Sequence, residues 1–144
     1  MWFLYAVTAA VIWGINYAVG GRVLQRGLSS AGLLFLDVVF ALFALGAYFT
    51  FTGQWSTLAG QVRQLQGNFH WLFVAMAAGT AANYLSLLAI QNKNATLASL
   101  IEISYPFFVA FFAWLLFRDV QLSWATALGG MLILAGIAVI YRFN

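Results

Sequence analysis

The strongest chemistry in this chain of 144 residues is its three acidic side chains, Asp37, Glu102 and Asp119. Two of them stand where charge is costly. Asp37 interrupts the apolar run GLLFLDVVFALF and Glu102 the run SLIEISYPFF, whereas Asp119 lies beside Arg118 at the edge of an apolar segment. An ionisable group within hydrocarbon costs ~2.5–3.5 kcal/mol on insertion scales, so it is kept for a solute, a proton or a partner charge. Glu102 is followed four residues later by Pro106. A mid-helix proline donates no N–H, and its ring abuts the carbonyl of residue i−4, here that of Glu102. The spacing predicts a helix kinked at Pro106, an irregularity tolerated in a membrane only inside protein or against a water-filled cavity. Solute binding or proton exchange is the chemistry expected at Glu102.

Catalysis has no comparable constellation. The chain has no cysteine and a single histidine, His70, which opens an apolar segment and reads as an interfacial residue. No nucleophile stands beside a base and no cluster has metal-ligand spacing, so the expectation is a non-enzyme without metal or cofactor. Six basic residues against three acidic ones give a net charge of +3, scattered along the chain, with no footprint for nucleic acid.

The elements that must position these residues are long and apolar. The chain is 65% hydrophobic and 6% charged, with a mean hydropathy of +0.94. Soluble domains carry about 25% charged residues, and six basic and three acidic side chains could not cover a soluble surface of this size. A membrane helix needs ~20 apolar residues at ~1.5 Å each to cross a ~30 Å core. Five stretches meet that length: Trp2–Gly21, Ala31–Phe51, Trp71–Ile90, Ala95–Phe117 and Leu122–Tyr141. No ten-residue alternation suggests a barrel. The expected fold class is therefore an all-α integral membrane protein, a bundle of five transmembrane helices in one domain over residues 1–144. The first stretch has no basic leader segment and reads as a retained span. Between the second and third spans, Trp55, Leu58, Val62 and Leu65 recur at helical spacing among Gln54, Gln61, Arg63, Gln64 and Gln66. That pattern predicts a short amphipathic helix on the membrane surface, anchored by Trp55 and Trp71.

Orientation follows from the basic residues. Arg22, Arg26, Lys93 and Arg142 fall on one side and Arg63 and Arg118 on the other. Four against two favours an outside N-terminus and a cytoplasmic C-terminus in the cell (inner) membrane. A bias this small also permits dual topology.

Depth is then arithmetic. Asp37 and Glu102 each lie about seven residues beyond the start of a span, ~10 Å in. Asn16 and Asn83 precede the ends of oppositely running spans by five and seven residues, at ~8–11 Å from the same face. Four spans thus bring Asn16, Asp37, Asn83 and Glu102 to one level, accompanied by Trp13, Tyr17, Tyr84 and Tyr105. These residues are the candidate substrate-binding or proton site. Depth is legible from sequence and facing is not. The alternative is that the asparagines are interhelical glue, worth ~0.6 kcal/mol each, with Asp37 reaching the interface or Arg26. Small residues form ridges at Ala6, Ala10, Gly14 and Ala18, at Ala75, Ala78, Gly79 and Ala82, and at Ala125, Thr126, Gly129, Gly130 and Gly136. The first two ridges are expected to pack within the chain, and the third equally well between subunits.

The run ATLASLIEISYPFFVAFFAWLLFRDVQLSWATALGGMLILAGIAVI resembles the second part of an EamA-type domain of the drug/metabolite transporter superfamily. The features that match are Ala95, Ala98 and Ser99 opening the helix, Pro106 within it, an acid at its end, and Gly129, Gly130 and Gly136 in the last span. The opening AVTAAVIWGINYAVG is similar too, with Trp13-Gly14 in place. The terminal acid, usually Glu, is Asp119 here, and an acid at the position of Glu102 is not a general family feature. The resemblance implies a five-helix unit, one half of an inverted-repeat architecture. It also implies alternating-access export or exchange of small metabolites such as amino acids and nucleotide sugars, or of amphipathic drug-like compounds, and Glu102 adds the expectation of proton exchange. The missing half implies a partner: a second copy in a homodimer, inverted where dual topology allows, or a sister five-helix protein. Small solute and lipid bilayer complete the expected partners. Two other readings fit the same architecture: a non-transporting membrane subunit of a larger complex, and a lipid-carrier flippase.

Overall fold

The computed structural model describes residues 1–65, 67–119 and 123–143. Every described element is helical: α1 (Trp2–Gln25), α2 (Ser30–Thr52), α3 (Trp55–Gln64), α4 (Phe69–Asn92), α5 (Ala95–Glu102), α6 (Tyr105–Phe117) and α7 (Trp124–Phe143). Five of the helical stretches are long and apolar enough to cross a membrane, with Ala95–Phe117 counting as one. The five-span expectation therefore holds. The anticipated start of the last span, Leu122, and the glutamine Gln66 of the surface pattern lie outside the described residues.

Helix ends differ from the apolar boundaries for a physical reason. The first apolar stretch ends at Gly21, yet α1 runs on through Arg22 to Gln25. Likewise α4 takes in His70 and continues to Asn92. A polar residue ends contact with hydrocarbon, but the backbone beyond it still needs partners for its N–H and C=O groups. The helix stops where the chain must turn: Gly27 has φ +102°, a conformation that favours glycine. At the far end of α2, Gly53 adopts φ +68°, and the Gln54 N–H reaches back to the Phe49 carbonyl at 3.1 Å. This left-handed cap turns the chain directly into α3. There the Trp55 ring sits 5.3 Å from that of Phe49 and its Nε1 donates to Thr50 Oγ1 at 3.2 Å.

The chain forms two compact units, Met1–Asn92 and Lys93–Asn144. In the first, α4 packs against both α1 and α2. Burial concentrates at one end, where α1 finishes, α2 begins and α4 finishes. Gly21 is buried there, Leu24 and Ile90 are each 4% exposed, and Ser30 is 2% exposed. Ser30 is polar and buried, so it needs a partner. Gln91 Oε1 supplies one, accepting from Ser30 Oγ at 2.5 Å and from the Ser30 N–H at 3.3 Å. Ser29 caps the same turn, its Oγ accepting from the Gly32 N–H at 3.0 Å. A Cβ on Gly32 would meet that Oγ at 3.1 Å and Leu28 Cδ1 at 3.2 Å, so a larger residue would press on the cap.

The small-residue ridges behave differently from expectation. Ala6, Ala10, Gly14 and Ala18 are all exposed, as are Ala75, Ala78, Gly79 and Ala82. A Cβ built on Gly14 or Gly79 meets no atom within 4 Å. Close approach occurs instead at Gly20, where a Cβ would lie 3.7 Å from Leu33. Small side chains permit close packing without dictating which neighbour arrives.

In the second unit the Ala95–Phe117 span is interrupted at Ile103–Ser104. Asn94 caps α5, its Oδ1 accepting from the Leu97 N–H at 2.8 Å. Arg118 closes α6 at φ +57°, its guanidinium 5.5 Å from the Trp114 ring centroid. Ser123 Oγ accepts from the Thr126 N–H at 3.2 Å at the start of α7.

Candidate functional site

The polar level anticipated from span arithmetic becomes a cleft in the first unit. On α1, Trp13, Asn16 and Tyr17 stand at i, i+3 and i+4, a spacing that places them on one helix face. On α4, Asn83, Ser86 and Leu87 repeat that spacing. Asp37 comes from α2, one turn beyond Leu33 and Leu34. These side chains line a single cleft of about 400 Å³. Small-molecule pockets run from ~300 to 1,000 Å³, so the volume suits a small organic solute. A shallower hollow lined by Ala9, Ile12, Trp13 and Asn16 extends along α1.

Within the cleft the Trp13 and Tyr17 rings meet edge to face, centroids 5.5 Å apart at 80°. That is the geometry aromatic quadrupoles favour. Asn83 donates through Nδ2 to the Gly79 carbonyl at 3.1 Å, which ties the amide to its own helix. Asp37 makes no ion pair among the described residues, so the anticipated alternative of a bridge to Arg26 does not form. No lysine or arginine lines the cleft. Its electrostatics are one carboxylate, two amides and two hydroxyls among apolar walls. The packed end bearing Leu24, Ser30 and Ile90 lies about seven residues, ~10 Å, from the Asp37 and Asn83 level. Trp13, by contrast, is 51% exposed. The arrangement can hold a solute's polar head at Asp37, Asn16 and Asn83 while its body rests on rings and aliphatic side chains.

The remaining candidates lie elsewhere. Tyr84 neighbours Asn83 but is turned by one residue around α4 and does not line the cleft. Glu102, Tyr105 and Pro106 belong to the second unit. Glu102, half-buried, is the last residue of α5, and Tyr105, exposed, is the first of α6. Pro106 sits in the first turn of α6 rather than in the middle of a continuous helix. A first-turn N–H has no intrahelical acceptor to lose, so proline is at home there. The break is stitched by Ser104, whose Oγ donates to the Ile101 carbonyl at 2.9 Å and whose own carbonyl accepts from the Phe107 N–H at 3.0 Å. Sequence reasoning missed the aliphatic wall of Leu33, Leu34 and Leu87, as well as Ser86. The polar spacing Asn83–Ser86, three apart, was the one signal that could have found part of it.

Among known proteins, the family model of the EamA-like transporter family matches residues 1–142. No curated protein and no solved structure matches the chain.

Proposed function

Because the chain belongs to the EamA-like transporter family, a membrane family of transporters and not an enzyme class, we propose that it is a small secondary transporter working by alternating access. In this reading it exports a small metabolite, such as an amino acid, or an amphipathic drug-like compound. The observation that supports it most is the cleft, where Asn16, Asp37, Asn83, Trp13 and Tyr17 line one solute-sized space. The packed end of the first unit, held by Leu24, Ser30 and Ile90, serves as the closed gate. Transport then requires that seal to open while the other end closes.

Glu102, at the helix break with Tyr105 and Pro106, is the proposed proton site of the second unit, and Tyr84 completes the aromatic set. Membrane-length helices that leave Trp13 and most large apolar side chains exposed suit a second five-helix domain, supplied by another copy in an inverted homodimer or by a sister protein. The proposed setting is the cell (inner) membrane, with the N-terminus outside or with both orientations present. Single cysteines at Ser29 and Ser56, labelled on cells with an impermeant thiol reagent, test the orientation. Labelling of both from outside supports the inverted homodimer, and labelling of Ser56 alone means one orientation, with an inverted sister partner or a parallel assembly.

The decisive test of transport is solute counterflow into proteoliposomes of the pure protein. Flux that Asp37→Asn lowers by about 10-fold or more is expected. No flux for any amino acid or amphipathic compound would overturn the reading in favour of a non-transporting subunit, and movement of labelled lipid alone would favour a flippase.

A further inference from the structure

We propose that the cleft of the first unit is a binding site for organic amines: monocations with an apolar body and no carboxylate of their own. This deepens the transporter reading above and rests on it. The first observation is charge. Asp37 is the one ionisable acid or base lining the cleft besides the Tyr17 phenol, and it makes no ion pair among the described residues. A carboxylate at membrane depth without a protein cation is completed by a ligand cation, and a single carboxylate is matched by a single positive charge.

The second observation is the aromatic pair. Trp13 and Tyr17 meet edge to face with centroids 5.5 Å apart, both line the cleft, and indole is the ring that attracts cations best. The third is the set of acceptors. An ammonium group offers only N–H donors. Asn83 has an N–H committed to the Gly79 carbonyl, and its Oδ1 remains to accept, as does the amide oxygen of Asn16. The aliphatic side chains of Leu33 and Leu87 give an apolar body a surface to rest on.

The same chemistry argues against an amino acid. Its carboxylate would enter a space that already holds Asp37 and contains no lysine or arginine to receive it, only neutral donors such as Ser86. Like charges in a low-dielectric site repel strongly. An amine and the amino acid from which decarboxylation would produce it differ by that one group, so the cleft separates them.

Calorimetric titration of the full chain in detergent tests this with 2-phenylethylamine, L-phenylalanine and 3-phenylpropionate as probes. The amine is expected to bind, phenylalanine to bind at least about 10-fold more weakly, and the propionate not at all. Asp37→Asn is expected to weaken the amine by about 10-fold or more, whereas Asp37→Glu, which keeps the charge, stays near the original protein. Trp13→Leu is expected to weaken it roughly 3- to 10-fold. Both Asp37 variants are compared at matched monodisperse elution, so a folding defect is seen as such, and Asp37→Glu still reports where Asp37→Asn aggregates. Phenylalanine binding as tightly as the amine, an amine affinity indifferent to Asp37→Asn, or no amine binding would each overturn the proposal. Counterflow of the same probes separates the two readings. Phenylalanine carried without the amine would refute amine selection and leave a transporter. Amine bound through Asp37 but never moved would keep the site and remove transport.

Discussion

Asp37 and Glu102 are two carboxyls set into apolar helices in different ways. Asp37 stands within the unbroken helix α2, so every backbone group around it keeps its helical partner and only the side chain meets the cleft. Glu102 ends the eight-residue helix α5, and the backbone turns at Ile103–Ser104 before α6 begins. At the end of α5 a carboxylate faces the negative pole of one helix, while the start of α6 presents the positive pole of the next. The first carboxyl is held by a rigid wall and the second by a joint. Rigid placement suits recognition of a solute, and a joint suits a group whose surroundings change during a cycle. The contrast teaches that equal depth along the sequence does not mean equal mechanical setting.

The sharpest way to break this comparison is Glu102→Gln. It is expected to abolish the pH dependence of flux in proteoliposomes while leaving the protein folded. Unchanged response to a pH step would remove the proton role from the joint. Next in size, Asp37→Asn is expected to lower flux by about 10-fold or more at every pH, since it removes the cleft's charge and no proton relay. A variant that lost pH dependence instead would exchange the two roles.

A smaller effect probes the packed end of the first unit. Ser30→Ala removes the donor to Gln91 at the most buried polar side chain, and should cost about 1–3 kcal/mol in thermal or denaturant unfolding in detergent. The joint itself is probed by Pro106→Ala. A proline within a continuous helix costs ~3 kcal/mol, so its removal would stabilise by that much, whereas in the first turn of α6 the change should stay within about 1 kcal/mol. The smallest expected effect is that of Gly14→Ala. With nothing within 4 Å of the new Cβ, stability should hold or rise by up to ~1 kcal/mol from helix propensity. A loss of self-association in that variant would mark the exposed ridge of α1 as a face for another domain.

Much of this is legible in the sequence. The five spans follow from length and hydropathy, because the hydrocarbon core demands about 20 residues whatever they pack against. The short helix α3 follows from the spacing of Trp55, Leu58 and Val62. The level shared by Asn16, Asp37 and Asn83 follows from a constant rise per residue. The ridge at Ala6–Ala18 shows the limit of this reasoning. Its composition fits close packing, yet the helices of the first unit meet at Gly20, Gly21 and Leu24 instead. Tyr84 shows the same limit on a finer scale, since one residue's rotation takes it out of the cleft that its neighbour Asn83 lines.

By itself the sequence determined membrane residence, span number, the position of each polar group along its span and the family. Each of these depends on quantities that accumulate along one chain: transfer free energy, helical rise and motif order. Tertiary structure alone decided that Asn16, Asp37 and Asn83 converge on one cleft, that Asp37 does not pair with Arg26, and that Ser30 and Gln91 clamp the packed end. It also set Pro106 at the start of a helix rather than at a bend within one. Those outcomes depend on the rotation of each helix about its axis and on where the backbone chooses to break. In the first unit the rotation is settled by contacts between residues far apart in the chain, and the break before α6 by the local bonds of Ser104.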